Sequence, residues 1–139
     1  MRHEDYVSFE QAKALKELGF DWEVSHFYGL NEANEPKLCR LPDTLGGQDN
    51  HNKYHGNFSA PTLSQAQKWL REKEIEVGVF ANFDGELPNG KWVWLMRKFN
   101  THLYDTVFTE DINYDTYEQA LSAGIDKALE LLKEESNGK

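Results

Sequence analysis

The chain has 139 residues, the size of one domain, and is long enough to bury a real core. Hydrophobic residues make up 39% and aromatic residues 13%, which argues against global disorder. The formal net charge is -9, from 24 acidic and 15 basic residues, so phosphates are repelled and no nucleic-acid partner is expected.

Cys39 is the only cysteine. No internal disulfide can form, and a reducing, cytoplasmic setting is expected. The opening MRHEDYVSFE lacks the apolar core of a signal peptide, and no apolar run approaches a membrane span, so no membrane partner is expected.

Ser8-Phe9-Glu10-Gln11 has the form of a capping box and opens a first helix, with Phe9, Ala12, Leu15 and Leu18 on one face. Gly19 is placed to end it. Phe20 to Tyr28 alternates apolar and polar residues and predicts a strand, with His26 on its apolar side as a core residue rather than a ligand. Residues 31–61 show no sustained periodicity. They predict a long polar loop, functional or mobile, between a helix-strand segment (1–30) and a second unit (62–139) of the same compact domain.

Thr62-Leu63-Ser64-Gln65 is a second capping box, and Leu63, Ala66, Trp69 and Leu70 form the stripe of its helix. Ile75 to Phe83 is the clearest strand. Asp84-Gly85 and Asn89-Gly90 frame a turn, Lys91 to Phe99 returns as a strand, and Leu103 to Thr109 predicts a third. Asp115 or Thr116 caps the last helix, in which Ala120, Gly124 and Ala128 lie on one line, small enough for close packing on a sheet. The fold class expected is α+β: a three-stranded antiparallel meander flanked by helices, in the order α-β-loop-α-β-β-β-α, as a single domain with both C-terminal helices on one face.

The middle strand of the meander is apolar on both sides. Val93, Leu95 and Phe99 point one way, while Trp92, Trp94 and Met96 point the other, where Phe80 is expected to join them. Two helices cover one face only. The tryptophan face is then covered either by the N-terminal helix and strand, through Phe9, Leu15, Phe20 and Trp22, or by a partner. In the second case Phe80, Trp92, Trp94 and Met96 form an interaction face, most simply for a homodimer.

Chemical signals are sparse. Cys39, His51 and His55 are ligand types for zinc, and Asp43 or Asp49 could add an oxygen. No second cysteine is nearby, and the segment from His51 to His55 lacks the Glu of the zinc-protease signature, so a plain polar loop is the simpler expectation. A nucleophilic pairing of Cys39 with either histidine has no orienting third group. No Gly-rich phosphate loop occurs, and no catalytic residue or cofactor is implied.

Three segments carry a resemblance. Tyr6 to Lys13 continuing to Asp21, Ala60 to Arg71, and Tyr117 to Leu121 followed by Gly124-Ile125 and a leucine-rich helix together resemble a group of small hypothetical proteins of Bacteroidales and their phages. The resemblance implies a phage or mobile-element accessory protein and brings no catalytic residues; residues 39–55 are not part of it. The function expected is a non-catalytic, self-associating interaction module. Zinc binding or metal-dependent catalysis through residues 39–55 is an alternative. Mimicry of nucleic acid by an acidic face, to inhibit a host protein, is another.

Overall fold

The computed structural model describes residues 5–99, 106–109 and 112–137. Its elements in chain order are α1 (Phe9–Glu17), β1 (His26–Leu30), β2 (Pro36–Arg40), β3 (Phe58–Ser59), α2 (Leu63–Glu72), β4 (Ile75–Asp84), β5 (Leu87–Lys98), β6 (Thr106–Thr109) and α3 (Tyr117–Asn137). This is a single-domain α+β fold with two antiparallel sheets, ordered β2-β1-β3 and β4-β5-β6. The sheet β4-β5-β6 is the expected meander, and β2-β1-β3 is a second sheet beside it. Residues 103–105 of the anticipated third strand lie outside the described residues.

Both capping boxes form. Ser8 Oγ accepts from the Gln11 amide while Gln11 Oε1 accepts from Ser8 N, and Thr62 and Gln65 repeat the exchange at α2. Thr116 rather than Asp115 caps α3, its hydroxyl accepting from Gln119 N at 3.1 Å.

Two expectations are corrected. The strand over 20–28 shrinks to His26–Leu30, with Val24 making only a lone bridge to Asp49. Phe20 instead turns into the core, its ring 5.7 Å from that of Trp69. The long loop is in fact half of a second sheet. Asn31 Oδ1 accepts from Ala33 N and Glu35 N, and Asn34 takes a φ of 60°, so the chain turns back and β2 pairs along β1. The rest of the segment is pinned by side chains. Asn52 donates to the Phe20 carbonyl and accepts from Ser59 N, and Lys16 Nζ donates to the carbonyls of Tyr54 and Asn57.

The predicted turn also resolves differently. Gly85 takes the positive φ of 66° that a two-residue hairpin favours at its first position, so the chain reverses there and Leu87 already belongs to β5. Asn89-Gly90 falls within β5, where the register shifts opposite Ala81–Phe83.

One core joins the two sheets. It includes Val7, Leu15, Phe20, Val24 and Tyr28 from the N-terminal part, and Trp69, Leu70, Ile75, Val77, Trp94, Met96 and Ile125 from the rest. Among the described residues, no helix is long and apolar enough to cross a membrane.

Candidate functional site

The sheet β4-β5-β6 decides where a surface is available. Val77 pairs with Met96 and Val79 with Trp94, so these four side chains share a face. That face is buried: Trp94 is 2% exposed and Met96 0%. Helix α3 lies directly upon it, with Gly124 against Val77 and Trp94. The expected interaction face is therefore corrected. Trp94 and Met96 are core. Trp92 is half-buried, its backbone bridged to Tyr114 and its ring edge-on to Tyr117 at 5.5 Å. Phe80 is on the opposite side by strand alternation. Helix α1 packs mainly on β3 and α3, while Leu15 and Phe20 join the same core as Trp94 and Met96.

The other face is the open one. It carries Glu76, Gly78 and Phe80 from β4 and Val93, Leu95 and Arg97 from β5, continued by Phe99. Phe80 is 56% exposed and Phe99 37%, with Val93 and Leu95 half-buried between. The Phe80 ring leans over Gly78, where an added Cβ would lie 3.0 Å from it, so the ring occupies space that only glycine leaves free. Glu76 stands directly opposite Arg97, whose guanidinium lies 5.5 Å from the Phe99 ring centre.

The metal-like residues do not converge. Cys39 sits on β2, its thiol donating to the Lys37 carbonyl. His51 is 3% exposed; its Nε2 donates to the Val24 carbonyl at 2.9 Å and its ring stacks on Phe27 at 4.5 Å. His55 is exposed. Among the described residues, no three His, Cys, Asp or Glu side chains could hold a metal ion together. His51 is instead committed to the Val24 carbonyl and the Phe27 ring. His26, expected in the core, is half-buried beside Tyr6, with rings 4.3 Å apart; burial, then the Arg40 charge, lowers its pKa.

A cleft of about 820 Å³ runs between the start of α1 and one face of α3. Tyr6, Tyr28, Tyr114, Glu118, Ser122 and Asp126 are among its lining. Tyr28 is held by its hydroxyl, which donates to the Val7 carbonyl at 2.7 Å; burial raises its pKa. Asp126 is exposed, and its carboxyl accepts from Gln11 Nε2 at 2.8 Å. Burial raises its pKa, the Gln11 bond opposes this, and the Glu130 charge adds to it.

A carboxyl raised in the folded state contributes stability fully below its unfolded pKa and loses it as pH rises through the folded value. Asp126→Asn keeps the oxygen that Gln11 needs. It is expected to be more stable than the parent at neutral pH by about a few tenths of a kcal/mol, kept small by solvent screening. The gap should close below about pH 4. Urea unfolding at the two pH values checks this; a gap independent of pH would contradict it.

Comparison with family models, curated proteins and solved structures found no match. The functional reading therefore rests on the chain's own geometry.

Proposed function

We propose that this protein is a non-catalytic interaction module that associates with a second copy of itself through the open face of β4-β5-β6. The observation that carries the proposal is the contiguous apolar surface of Phe80, Val93, Leu95 and Phe99 on a sheet whose other face is already filled.

A second copy fits this face better than a charged partner. The chain as a whole carries -9, yet the face itself opposes one Glu76 to one Arg97. Two such faces related by a two-fold axis bring apolar surface together without setting a net charge against itself. The contact is modest. Three strands about 4.8 Å apart, over seven residues at about 3.3 Å each, give roughly 330 Å² per copy, under half that of a standard interface. The dimer is therefore weak, and added salt strengthens it by screening the repulsion of two acidic chains. In this reading the resemblance to proteins of Bacteroidales and their phages supplies the setting, that of a mobile-element accessory protein.

Sedimentation velocity over a concentration series tests the proposal. Reversible dimerisation is expected, favoured by salt. It should be abolished by Leu95→Glu and weakened by the milder Phe80→Ser, with the circular dichroism spectrum and melting transition retained. A monomer at every concentration, or a dimer indifferent to both substitutions, would refute it.

A further inference from the structure

The cleft along α3 has a chemistry unlike the open sheet face. Glu118, Ser122 and Asp126 recur at four-residue intervals, so one stripe of the helix presents a carboxylate, a hydroxyl and a carboxylate. The two carboxylates are two turns apart, roughly 12 Å along the axis. Tyr6, Tyr28 and Tyr114 line the same cleft. A second hollow of about 420 Å³ shares Glu118 and is bordered by Asp5 and Tyr117. No Lys, Arg or His is among the described residues lining either hollow, although the chain holds 15 Lys and Arg.

The carboxylates are also unspent. Among the described residues no cation pairs with Glu118 or Asp126. Gln11 satisfies one oxygen of Asp126, and among the described residues no donor meets the other. Gln11 itself is 2% exposed and bonded to the Ser122 carbonyl and hydroxyl as well, so it fixes the groove's shape before any ligand arrives.

We propose that this groove binds a linear polyamine, its methylene chain lying against the tyrosine rings and its terminal ammonium groups meeting Glu118 and Asp126. Tyrosine faces attract ammonium ions through the ring quadrupole, and apolar walls suit the methylenes. The two-turn separation of the carboxylates selects a chain of spermidine's length over a short diamine or a monoamine. Hydrogen bonds between ammonium and carboxylate are charge-assisted and fix both ends.

Isothermal titration of the full chain with spermidine, in buffer of moderate salt, tests this. One saturable site per chain is expected. Glu118→Gln and Asp126→Asn should each weaken it about tenfold or more, as loss of a charged hydrogen bond does. Tyr6→Ser should weaken it less, and n-butylamine should bind at least tenfold more weakly than spermidine. Glu35→Gln removes the same unit of charge from the exposed β1–β2 turn and should leave the affinity unchanged. Equal weakening by Glu35→Gln, equal binding of n-butylamine, or no saturable binding would overturn the proposal, leaving at most a diffuse attraction to an acidic chain.

Discussion

Gly124→Ala is expected to lose about 1–3 kcal/mol of stability, and Gly124→Leu to abolish the fold. A Cβ at this position would lie 2.6 Å from Val77 Cγ1 and 3.2 Å from Trp94 Cβ. Neither neighbour yields readily. Val77 is β-branched and stiff about χ1, and its strand is hydrogen-bonded to β5. Trp94 meets the new atom through its own Cβ, which moves only with the backbone. On an exposed helix the same change would add about 1 kcal/mol through helix propensity. The sign of the effect therefore separates close packing from propensity. Urea unfolding measures it, and a stabilised Gly124→Ala would show that α3 does not rest on β4 and β5 at this distance.

Gln11→Glu is expected to cost about 3 kcal/mol at neutral pH, although it preserves shape. The Gln11 amide nitrogen donates to the Ser122 carbonyl, the Ser122 hydroxyl and Asp126 Oδ1, while its oxygen accepts from Ser8 N. A carboxylate would keep the bond to Ser8 and accept from the Ser122 hydroxyl, but it would set acceptor against acceptor at the Ser122 carbonyl and Asp126, at a position 2% exposed. Protonation relieves part of this, so the loss should shrink as pH falls. Gln65 provides the control. It holds the matching place in the second capping box, its side-chain oxygen accepting from Thr62 N, but it is only half-buried, and among the described residues no acceptor meets its side-chain nitrogen. Gln65→Glu is therefore expected to be neutral within about 0.5 kcal/mol, as ordinary surface changes are. Equal losses at the two sites would mean that the long-range bonds from α1 to α3 contribute nothing.

The contrast between these glutamines shows what sequence can reveal. Both capping boxes are legible because their partners are three residues apart, and the line Ala120, Gly124, Ala128 is legible because helix geometry alone places it on one face. The bonds from Gln11 to Ser122 and Asp126 span more than 110 positions and leave no local trace. The same limit hid the second sheet. Pro36–Arg40 is largely exposed and charged at two of its five positions, and Phe58–Ser59 is two residues long, so neither has an apolar alternation to detect.

The side of the meander taken by the helices was not legible either. Alternation separates Trp92, Trp94 and Met96 from Val93, Leu95 and Phe99, but both sets are apolar, and periodicity has no sign. What decides is bulk against smallness: α3 brings Ala120, Gly124 and Ala128 to the sheet, and the large Trp94 and Met96 fill the space they leave. The candidate metal residues read as a cluster only because they are close in sequence. His51 is consumed by Val24, beside a lone bridge, and by Phe27 of β1, whose partner strands periodicity did not show.

The two faces of β4-β5-β6 are the centre of the account, and one pair of single-cysteine proteins tests them most directly. In a Cys39→Ser background, a thiol is placed at Leu95 or at Met96, and its rate of reaction with a small maleimide is followed across protein concentration. Leu95→Cys is expected to react rapidly in dilute solution and progressively more slowly as the protein is concentrated and the open face is covered by a second copy. Met96→Cys, under α3, should react slowly throughout. A Leu95→Cys rate independent of concentration would contradict self-association through this face, and fast reaction at Met96→Cys would contradict the assignment of the faces themselves.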